Sequence, residues 1–273
     1  MTVLINGQPG DQISVHNRGL LYGQSLFETI AIADGQACLL TEHMQRLQSG
    51  AQILGLPIEP SAIIDEINQL AAGQQKAVIR VTLTMGAGGR GYLNPAEPES
   101  QRIVSLHEYP QYPIENWQKG IKLGLSNIRL GHQPALAGLK HGNRLEQILA
   151  RSEWPDDCAE ALLLDQSGNV VEATQSNIFI IKNNNLLTPK LELAGVAGVL
   201  RGFVLANANK VGVQAELVSL SLSDIEQADA VFLCNSVIGL WPVKQFQDQH
   251  YSDFALSNKL LKLIIKHGAI PNI

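Results

Sequence analysis

The stretch Leu139-Lys140-His141-Gly142-Asn143-Arg144-Leu145-Glu146-Gln147 follows a loop marked by Pro134 and Gly138 and runs directly into a helical pattern. Lys140 therefore lies beside an apolar run, where partial loss of hydration favours the neutral, nucleophilic amine of a lysine. A single lysine is typically an exposed surface residue. A chemical role for Lys140 thus depends on what the rest of the chain supplies.

The composition indicates a globular protein that does not bind nucleic acid or membranes. The chain has 273 residues, 45% hydrophobic and 16% charged, with a net charge of -5, so no basic surface is expected. Cys38, Cys158 and Cys234 are widely spaced, which argues against a zinc site or a disulfide framework and favours the cytoplasm. The N-terminal residues 1–7 lack the features of a signal peptide, and no apolar run approaches the roughly 20 residues that span a bilayer.

Strand and helix patterns mix irregularly in the first part of the chain, which predicts a small α+β domain over residues 1–108. Asp34-Gly35 predicts the turn of a hairpin, and a helix is expected from an N-cap at Thr41 to Gly55. The segment Arg18-Gly19-Leu20-Leu21-Tyr22-Gly23 is interpreted as a glycine-bracketed loop.

A proline-punctuated segment, Tyr109-Pro110-Gln111-Tyr112-Pro113, predicts an interdomain linker over residues 109–117. Strand patterns interrupted by three helices dominate residues 118–273. They predict a closed or half-closed sheet with peripheral helices. The expected fold class is therefore α/β in the broad sense, of the α+β kind.

Two motifs of the first domain each allow a functional and an ordinary interpretation. Gly86-Ala87-Gly88-Gly89-Arg90-Gly91 is not followed by a helix, so it does not predict a dinucleotide loop; it is either a substrate loop that presents Arg90 or a solvated turn. Arg46, in the segment His43-Met44-Gln45-Arg46-Leu47, could bind a phosphate through its guanidinium or face solvent on an amphipathic helix.

Three motifs of the second domain are similarly open. Glu172 ends a strand pattern, and a buried carboxylate there needs a cationic partner such as a protonated pyridine nitrogen; the alternative is a surface hairpin. A helix that begins at Val199-Leu200 offers free N–H groups and its positive dipole end to a phosphate. Asn235-Ser236, after a strand, could add a hydroxyl and another N–H, although a plain cap or turn is equally consistent.

In this order the motifs resemble the fold-type IV pyridoxal-phosphate enzymes, which include branched-chain and D-amino acid aminotransferases and aminodeoxychorismate lyase. The similarity covers almost the whole chain. It extends over the segments Arg18 to Gly23, Leu26 to Thr29, His43 to Leu47, Lys140 to Asn143, Glu172 to Phe179, Thr188-Pro189, Gly198 to Arg201, and Asn235 to Pro242.

The resemblance implies a small α+β N-terminal domain, a larger pseudo-barrel domain that carries Lys140, pyridoxal 5'-phosphate between them, and a homodimer. Lys140 would be the Schiff-base lysine and proton shuttle, and Glu172 would pair with the pyridine nitrogen. The phosphate and its surroundings would be contacted by Arg46, Val199, Leu200, Asn235 and Ser236. No metal ion is expected.

Two stretches, Gly88 to Tyr92 and Leu139 to Gln147, are most similar to aminodeoxychorismate lyases. This implies conversion of 4-amino-4-deoxychorismate to 4-aminobenzoate and pyruvate in folate synthesis. Thr29 or Lys140 would protonate the departing enolate. The expected substrate contacts are Arg90, Tyr92, Phe27 and Tyr109.

The alternative is a D-amino acid or branched-chain aminotransferase. Arg144 stands where branched-chain aminotransferases usually have a tyrosine. Asn17 and Gln24-Ser25 replace the acidic residue and the Asp-Gly that are common in the N-terminal motif, so details of the substrate pocket are expected to differ.

Overall fold

The computed structural model describes residues 2–273, and the contacts within the chain form two compact units. Unit 1 comprises Met1–Pro110, Leu139–Asn143 and Ile270–Asn272. Unit 2 comprises Gln111–Gly138, Arg144–Ala269 and Ile273. The segment that carries Lys140 thus belongs to unit 1, whereas the sequence analysis placed it in the C-terminal domain.

The strands of unit 1 form an antiparallel sheet in the order β2-β1-β6-β5-β3-β4. They are β1 (Thr2–Ile5), β2 (Gln8–Pro9), β3 (Ser25–Ala33), β4 (Gln36–Ala37), β5 (Lys76–Met85) and β6 (Ser100–Glu108). The predicted hairpin turn at Asp34-Gly35 joins β3 to β4, although β4 is short.

Three helices accompany the sheet of unit 1 in the described part of the chain: α1 (Arg18–Tyr22), α2 (Leu40–Leu54) and α3 (Pro60–Ala71). The apolar sides of α2 and α3 pack in one core with Leu26, Ile30 and Ile79 of the sheet. Burial of this face explains why β3 and β5 are rich in aliphatic residues.

Two local predictions for unit 1 were wrong. The segment from Arg18 is a helix rather than a loop, because the Asn17 side chain accepts the N–H groups of Gly19 and Leu20 and Gly23 ends the helix in the left-handed conformation. Helix α2 has its N-cap at Leu39, which itself is left-handed, and not at Thr41.

Lys140 is attached to unit 1 by backbone pairing with the free edge of β3. The N–H of Phe27 donates to the carbonyl of Lys140 at 2.9 Å, and the N–H of Gly142 donates to the carbonyl of Ser25 at 2.9 Å. A Cβ on Gly142 would lie 2.1 Å from the Ser25 Oγ, so only glycine allows this close approach. These contacts are the physical reason why the segment groups with unit 1.

The strands of unit 2 form a mixed sheet in the order β12-β11-β10-β13-β14-β7-β8-β9, with β15 beside β14. Their bounds are β7 (Ile121–Leu130), β8 (Glu160–Asp165), β9 (Val170–Ala173), β10 (Asn177–Lys182), β11 (Asn185–Pro189), β12 (Gln214–Val218), β13 (Ala230–Asn235), β14 (Gly239–Phe246) and β15 (Gln249–His250). Strand β14 was not predicted, and it contains Pro242, a residue type that is rare in central strands. It nevertheless pairs with β13 on one side and β7 on the other.

The helices of unit 2 are α4 (Glu115–Gln118), α5 (Leu145–Glu153), α6 (Val199–Asn207), a 3-10 turn (Ala208–Val211), α7 (Leu222–Glu226) and α8 (Ala255–Lys266). The sheet core contains Leu123, Leu162, Ile178, Leu233 and Val243. Helices with antiparallel and mixed sheets confirm the predicted α+β class. Over residues 2–273, no helix combines the length and the apolar character needed to cross a bilayer.

Candidate functional site

The ammonium group of Lys140 lies over an aromatic ring. Its Nζ is 4.4 Å from the centroid of the Phe27 ring, and the guanidinium carbon of Arg80 is 4.1 Å from the same centroid. Phe27 is only 9% exposed, so the ring is a fixed platform that holds two cationic groups. This part of the molecule is suited to bind an anion.

Thr29 lies on the same face of the sheet as Phe27 and Lys140. Side chains two residues apart along a strand share a face, and Thr29 is opposite Arg80 in the register of β3 and β5. Lys140 pairs with β3 opposite Phe27, which places it on this face as well. Three residues chosen from the sequence, Lys140, Thr29 and Phe27, are therefore neighbours.

The opposite face of β3 carries Glu28, which the sequence analysis did not select. Glu28 is 1% exposed, and its carboxylate accepts bonds from the Arg46 Nε at 2.8 Å, from the Arg46 NH2 group and from the His43 Nδ1 at 2.6 Å. Burial alone would raise the pKa of Glu28, but the charge of Arg46 and the hydrogen bonds from His43 and Arg46 lower it to about 2.

His43 is the second partner of this carboxylate and is buried with it. Because the Glu28 carboxylate is ionised, the shared proton is assigned to the His43 Nδ1, which donates it. Burial lowers the pKa of His43, and the hydrogen bond to Glu28 opposes that effect. The His43 Nε2 is buried and has no hydrogen-bond partner within residues 2–273. Arg46, the predicted phosphate ligand, is therefore oriented by a carboxylate that His43 also binds.

In unit 2, Glu172 is a buried carboxylate as the functional interpretation required. It lies in β9, is 4% exposed, and its Oε2 accepts the N–H of Val196 at 2.8 Å. The surface-hairpin alternative is therefore wrong. A buried carboxylate of this kind suits a cationic nitrogen of a ligand.

Helix α6 begins as predicted, with Gly198 as its N-cap and Val199 and Leu200 buried in its first turn. A Cβ on Gly198 would lie 1.9 Å from the Asn177 Oδ1, so the cap must be glycine. The Asn177 amide donates to the Val196 carbonyl at 2.8 Å, which fixes the chain just before the helix. The first-turn N–H groups of α6 thus form a rigid anion cradle.

Asn235 is the last residue of β13, and both the oxygen and the nitrogen of its side-chain amide bond to other groups of the chain. Its Oδ1 accepts the N–H groups of Val237 and Ile238 at 2.8 and 2.9 Å, and its Nδ2 donates to the Ser176 Oγ at 3.1 Å. This favours a positioning role, in which Asn235 shapes the turn that carries Ser236, over the direct cofactor contact expected from the sequence.

The turn is connected to a second buried carboxyl group that the sequence analysis missed. Glu160 in β8 accepts the hydroxyls of Thr174 and Ser176 at 2.5 and 2.8 Å. Burial raises the pKa of Glu160, against the opposing effect of these two hydrogen bonds. Glu160 thereby orders the loop that follows Glu172.

The remaining predicted substrate residues lie at the surface of unit 1. Arg90 is exposed, and Tyr92 is 88% exposed. The ring centroids of Tyr92 and Tyr22 are 5.6 Å apart, in an edge-to-face arrangement. Tyr109 is half-buried, and the Lys76 Nζ lies 4.5 Å from its ring centroid. Arg90 and Tyr92 share one loop, while Tyr109 is at the far end of β6.

The sequence does contain a signal for Glu28, which was not predicted as a site residue. Glu28 interrupts an apolar face of β3 formed by Leu26 and Ile30, and a charge on a core face requires a partner. His43 and Arg46 are three residues apart on one helix and supply that partner. Arg80 carries no such signal, because it lies on the exposed face of β5, where an arginine is ordinary. Over residues 2–273, no group of three or more His, Cys, Asp or Glu side chains could hold a metal ion.

Comparison with known proteins gives a consistent result. Residues 25–246 match the model of the family described as Amino-transferase class IV. A curated aminodeoxychorismate lyase from Vibrio harveyi is 34% identical over 242 residues, which cover 88% of this chain and 89% of that protein. A branched-chain-amino-acid aminotransferase from Escherichia coli is 27% identical over 247 residues, with coverage of 85% and 79%. The crystal structure of a 4-amino-4-deoxychorismate lyase from Pseudomonas aeruginosa superimposes with a TM-score of 0.93 and 40% identity, over 97% of this chain and 98% of that one.

Proposed function

This chain belongs to the class IV aminotransferase family, as its motifs predicted, and from that premise we propose that it is an aminodeoxychorismate lyase dependent on pyridoxal 5'-phosphate. It converts 4-amino-4-deoxychorismate to 4-aminobenzoate and pyruvate. The observation that carries the proposal is the position of Lys140, paired to the edge of β3 with its amine over the Phe27 ring. The identities to the lyases from Vibrio harveyi and Pseudomonas aeruginosa support the choice of substrate.

The donor groups of the chain fit pyridoxal 5'-phosphate. Glu172 is a buried carboxylate that can hold a protonated pyridine nitrogen. The N-terminus of α6, the hydroxyl of Ser236 and the guanidinium of Arg46 would hold the phosphate. When bound, the cofactor supplies an electron sink for a carbanion at the amine-bearing carbon.

The chain's own residues then move two protons. The Nζ of Lys140 takes the proton from the amine-bearing carbon, and the carbon–oxygen bond to the enolpyruvyl group breaks as the ring becomes aromatic. Thr29 or Lys140 returns a proton to the departing enolate. The atoms of the substrate equal those of 4-aminobenzoate plus pyruvate, so neither water nor an oxidant is consumed.

The substrate carries two carboxylates, and unit 1 offers cationic groups that suit a dianion. The guanidinium carbon of Arg80, 4.1 Å from the centroid of the Phe27 ring, is one such group. Arg90 and Tyr92 are available in the exposed loop after β5. We assign Arg90 and Tyr92 to the substrate carboxylates, and Phe27 and Tyr109 to the walls of the substrate site.

The test is to supply 4-amino-4-deoxychorismate and measure 4-aminobenzoate and pyruvate. Lys140→Ala is expected to reduce turnover by about 10⁴-fold or more, since it removes the group that moves the proton. The matched control is Lys122→Ala, because Lys122 lies near the start of β7 and pairs with the exposed Asp157. Turnover by Lys140→Ala comparable to that of Lys122→Ala would refute the proposal.

An aminotransferase is the second candidate, because the relative from Escherichia coli is a branched-chain-amino-acid aminotransferase. That activity would convert 2-oxoglutarate to glutamate in the presence of a branched-chain or D-amino acid. Glutamate formation that exceeds the 4-aminobenzoate rate would favour the aminotransferase. The lyase proposal expects 4-aminobenzoate without an added keto acid.

We further assign the protein to the cytoplasm and to a homodimer. All three cysteines, Cys38, Cys158 and Cys234, are free thiols, which suits a reducing compartment. Helix α5 exposes Leu145, Ile148 and Leu149 on one face, and such an apolar row suits an interface with a second copy of the chain.

A further inference from the structure

Arg18 is a buried arginine without an acidic partner. Its side chain is 2% exposed, and no carboxylate pairs with it in the part of the chain that the structure describes. Its NH1 instead donates to the carbonyls of Gly89 and Gly91, at 3.2 and 2.9 Å. These two carbonyls lie immediately before and after Arg90. A buried guanidinium is costly unless its donors are used, so these bonds are strongly favoured.

Gln24 extends the contact from Arg18 to the far side of the same loop. Its Oε1 accepts the Arg18 Nε at 2.7 Å, and its Nε2 donates to the Asn94 Oδ1 at 2.8 Å and to the Leu54 carbonyl at 3.3 Å. One amide thus connects the buried arginine, the loop and the end of α2.

The base of the loop is fixed by the backbone. The N–H of Arg18 donates to the Gly86 carbonyl at 3.0 Å, and the N–H of Gly86 donates to the Glu99 carbonyl at 2.8 Å. A Cβ on Gly88 would lie 2.7 Å from the Arg18 Cδ, so the loop backbone lies directly against the arginine stem. The loop is therefore held at its start, its middle and at Asn94, although its surface is exposed.

We propose that Arg18 and Gln24 are positioning residues that hold the loop of residues 86–99 in one conformation and so present Arg90 and Tyr92 to the substrate. The hydrogen bonds described above show that Arg18 and Gln24 fix the loop. That the fixed loop binds the substrate rests on the proposed function. Tyr22 contributes a third contact, since its ring touches Tyr92 and lies 4.8 Å from the guanidinium carbon of Arg18.

The residue type at position 24 matters for this role. A carboxylate could accept the Arg18 Nε, but it has no donor for the Asn94 Oδ1 or the Leu54 carbonyl. Glutamine performs both functions, so an amide at this position bonds Arg18, Asn94 and the Leu54 carbonyl together.

The first experiment measures opening of the loop by limited digestion with trypsin, without substrate. Cleavage between Arg90 and Gly91, identified by mass spectrometry, reports the population of the open loop. Gln24→Glu keeps the size and the acceptor for Arg18 but loses both donors, and Arg18→Met loses the bonds to Gly89 and Gly91. Both are expected to be cleaved about tenfold faster than the unaltered chain.

The matched control is Asn94→Asp, which keeps an oxygen acceptor for the Gln24 Nε2 and is expected to be cleaved at the original rate. Arg90→Gln identifies the cut, because it removes the cleavage site. If burial makes Arg18→Met unable to fold, as its circular dichroism would show, Gln24→Glu decides alone. Unchanged cleavage of folded Gln24→Glu would overturn the proposal.

The second experiment measures kinetics on 4-amino-4-deoxychorismate. Gln24→Glu is expected to raise KM about tenfold and to lower kcat much less, because a mobile loop binds the substrate carboxylates poorly. Faster cleavage with an unchanged KM would overturn the presenting role. Faster cleavage in a chain that forms no 4-aminobenzoate would instead refute the proposed function and leave the fixing of the loop intact.

Discussion

The buried carboxylate of Glu28 shows how one residue can orient a cationic group of unit 1. It lies on the apolar face of β3 and is compensated by two side chains of α2, His43 and Arg46. The pair is asymmetric, because the Arg46 side chain is 13% exposed and that of Glu28 only 1%. Arg46 can therefore reach a ligand while Glu28 cannot, so the acidic residue acts by orienting the arginine.

We expect Glu28→Gln to lower the free energy of unfolding by about 2–4 kcal/mol, since it leaves buried donors of His43 and Arg46 without a charge partner. Urea denaturation measures this change. Glu59→Gln is the control, because the Glu59 side chain is 74% exposed against Arg102 and its loss should cost about 0.5 kcal/mol or less. Equal effects of the two substitutions would contradict the assignment.

The buried group of Glu28, His43 and Arg46 predicts that the free energy of unfolding falls in two separate acidic pH ranges. Burial lowers the pKa of His43 below its ordinary 6.5, so its contribution is full above pH 6.5 and is lost as the pH falls below that value. The pKa of Glu28 falls from 4.5 to about 2, so its contribution is lost between those pH values. His43→Asn keeps a donor to Glu28 but cannot titrate.

Unfolding free energy measured from pH 8 to pH 3 should therefore fall for the unaltered chain from about pH 6.5. In His43→Asn this first decline should be reduced, and the decline below pH 4.5 should remain. If the unfolding free energies of the two proteins changed in parallel between pH 7 and pH 5, the protonation of His43 would not change on unfolding.

At the level of single residues, the sequence predicted those whose chemistry depends on motif order and missed those whose role depends on packing. Lys140 and Glu172 follow recognisable patterns, and the structure places the first on Phe27 and buries the second. Glu28 and Arg18 bind partners 18 and 71 to 73 residues away. Such pairs depend on strand register, which a single sequence does not specify.

At the scale of elements, Gly198 determines how helix α6 meets the chain before it. Gly198→Ala places a methyl group 1.9 Å from the Asn177 Oδ1 and displaces the side chain that fixes Val196. We expect the dissociation constant for pyridoxal 5'-phosphate, measured by absorbance titration, to rise about tenfold or more.

Gly202→Ala is the matched control in the same helix. Apart from its chain neighbours and its own helix backbone, no atom of the described residues lies within 4 Å of a Cβ at Gly202. The substitution should therefore stabilise α6 by about 0.5–1 kcal/mol and leave cofactor affinity unchanged. A similar affinity for both variants would show that the N-terminus of α6 does not hold the phosphate.

The attachment of the Lys140 segment to β3 is a second element-level feature. Gly142→Ala brings a methyl group to 2.1 Å from the Ser25 Oγ, whereas the Ser25 Cβ is at an ordinary 3.5 Å. Gly142→Ala should therefore cost about 1–3 kcal/mol in unfolding free energy, and the double variant with Ser25→Ala should recover at least half of it. Additive losses in the double-mutant cycle would exclude this contact as the cause.

Elements were predicted well where periodicity was regular and poorly where one residue contradicted its surroundings. Helix α2 ends at Leu54 with Gly55 as its C-cap, where the end of that helix was predicted. Strand β14 contains Pro242 and was missed, yet its neighbours β13 and β7 hold it in the sheet interior. Short helix α1 was missed because its cap, Asn17, was interpreted only as a departure from the family motif.

At the scale of the whole molecule, the chain returns to unit 1 for five residues, Leu139–Asn143, between two segments of unit 2. The segment that carries the proposed catalytic lysine is therefore covalently joined to unit 2 at both ends and hydrogen-bonded to unit 1 through β3. Sequence alone predicted a division near residues 109–117 and did not predict this return, because it depends on an edge pairing between residues far apart in the chain.

Helix α5, which follows that segment, carries the prediction for the assembly. Leu145, Ile148 and Leu149 are 73%, 61% and 54% exposed at helical spacing, and solvating such a row is unfavourable. We expect light scattering after gel filtration to give twice the chain mass. Ile148→Glu should convert the dimer to a monomer, since a charge would be buried in the interface.

Ile53→Glu is the matched control, because Ile53 on α2 is also an exposed isoleucine, at 58%, but does not belong to an exposed apolar row. It should leave the dimer intact, since no other large apolar side chain of α2 within the described residues is similarly exposed. If the unaltered chain is monomeric at micromolar concentration, or if Ile148→Glu remains a dimer, then α5 does not form the interface. Loss of the dimer in Ile148→Glu alone would assign the exposed row of α5 to contact with a second copy.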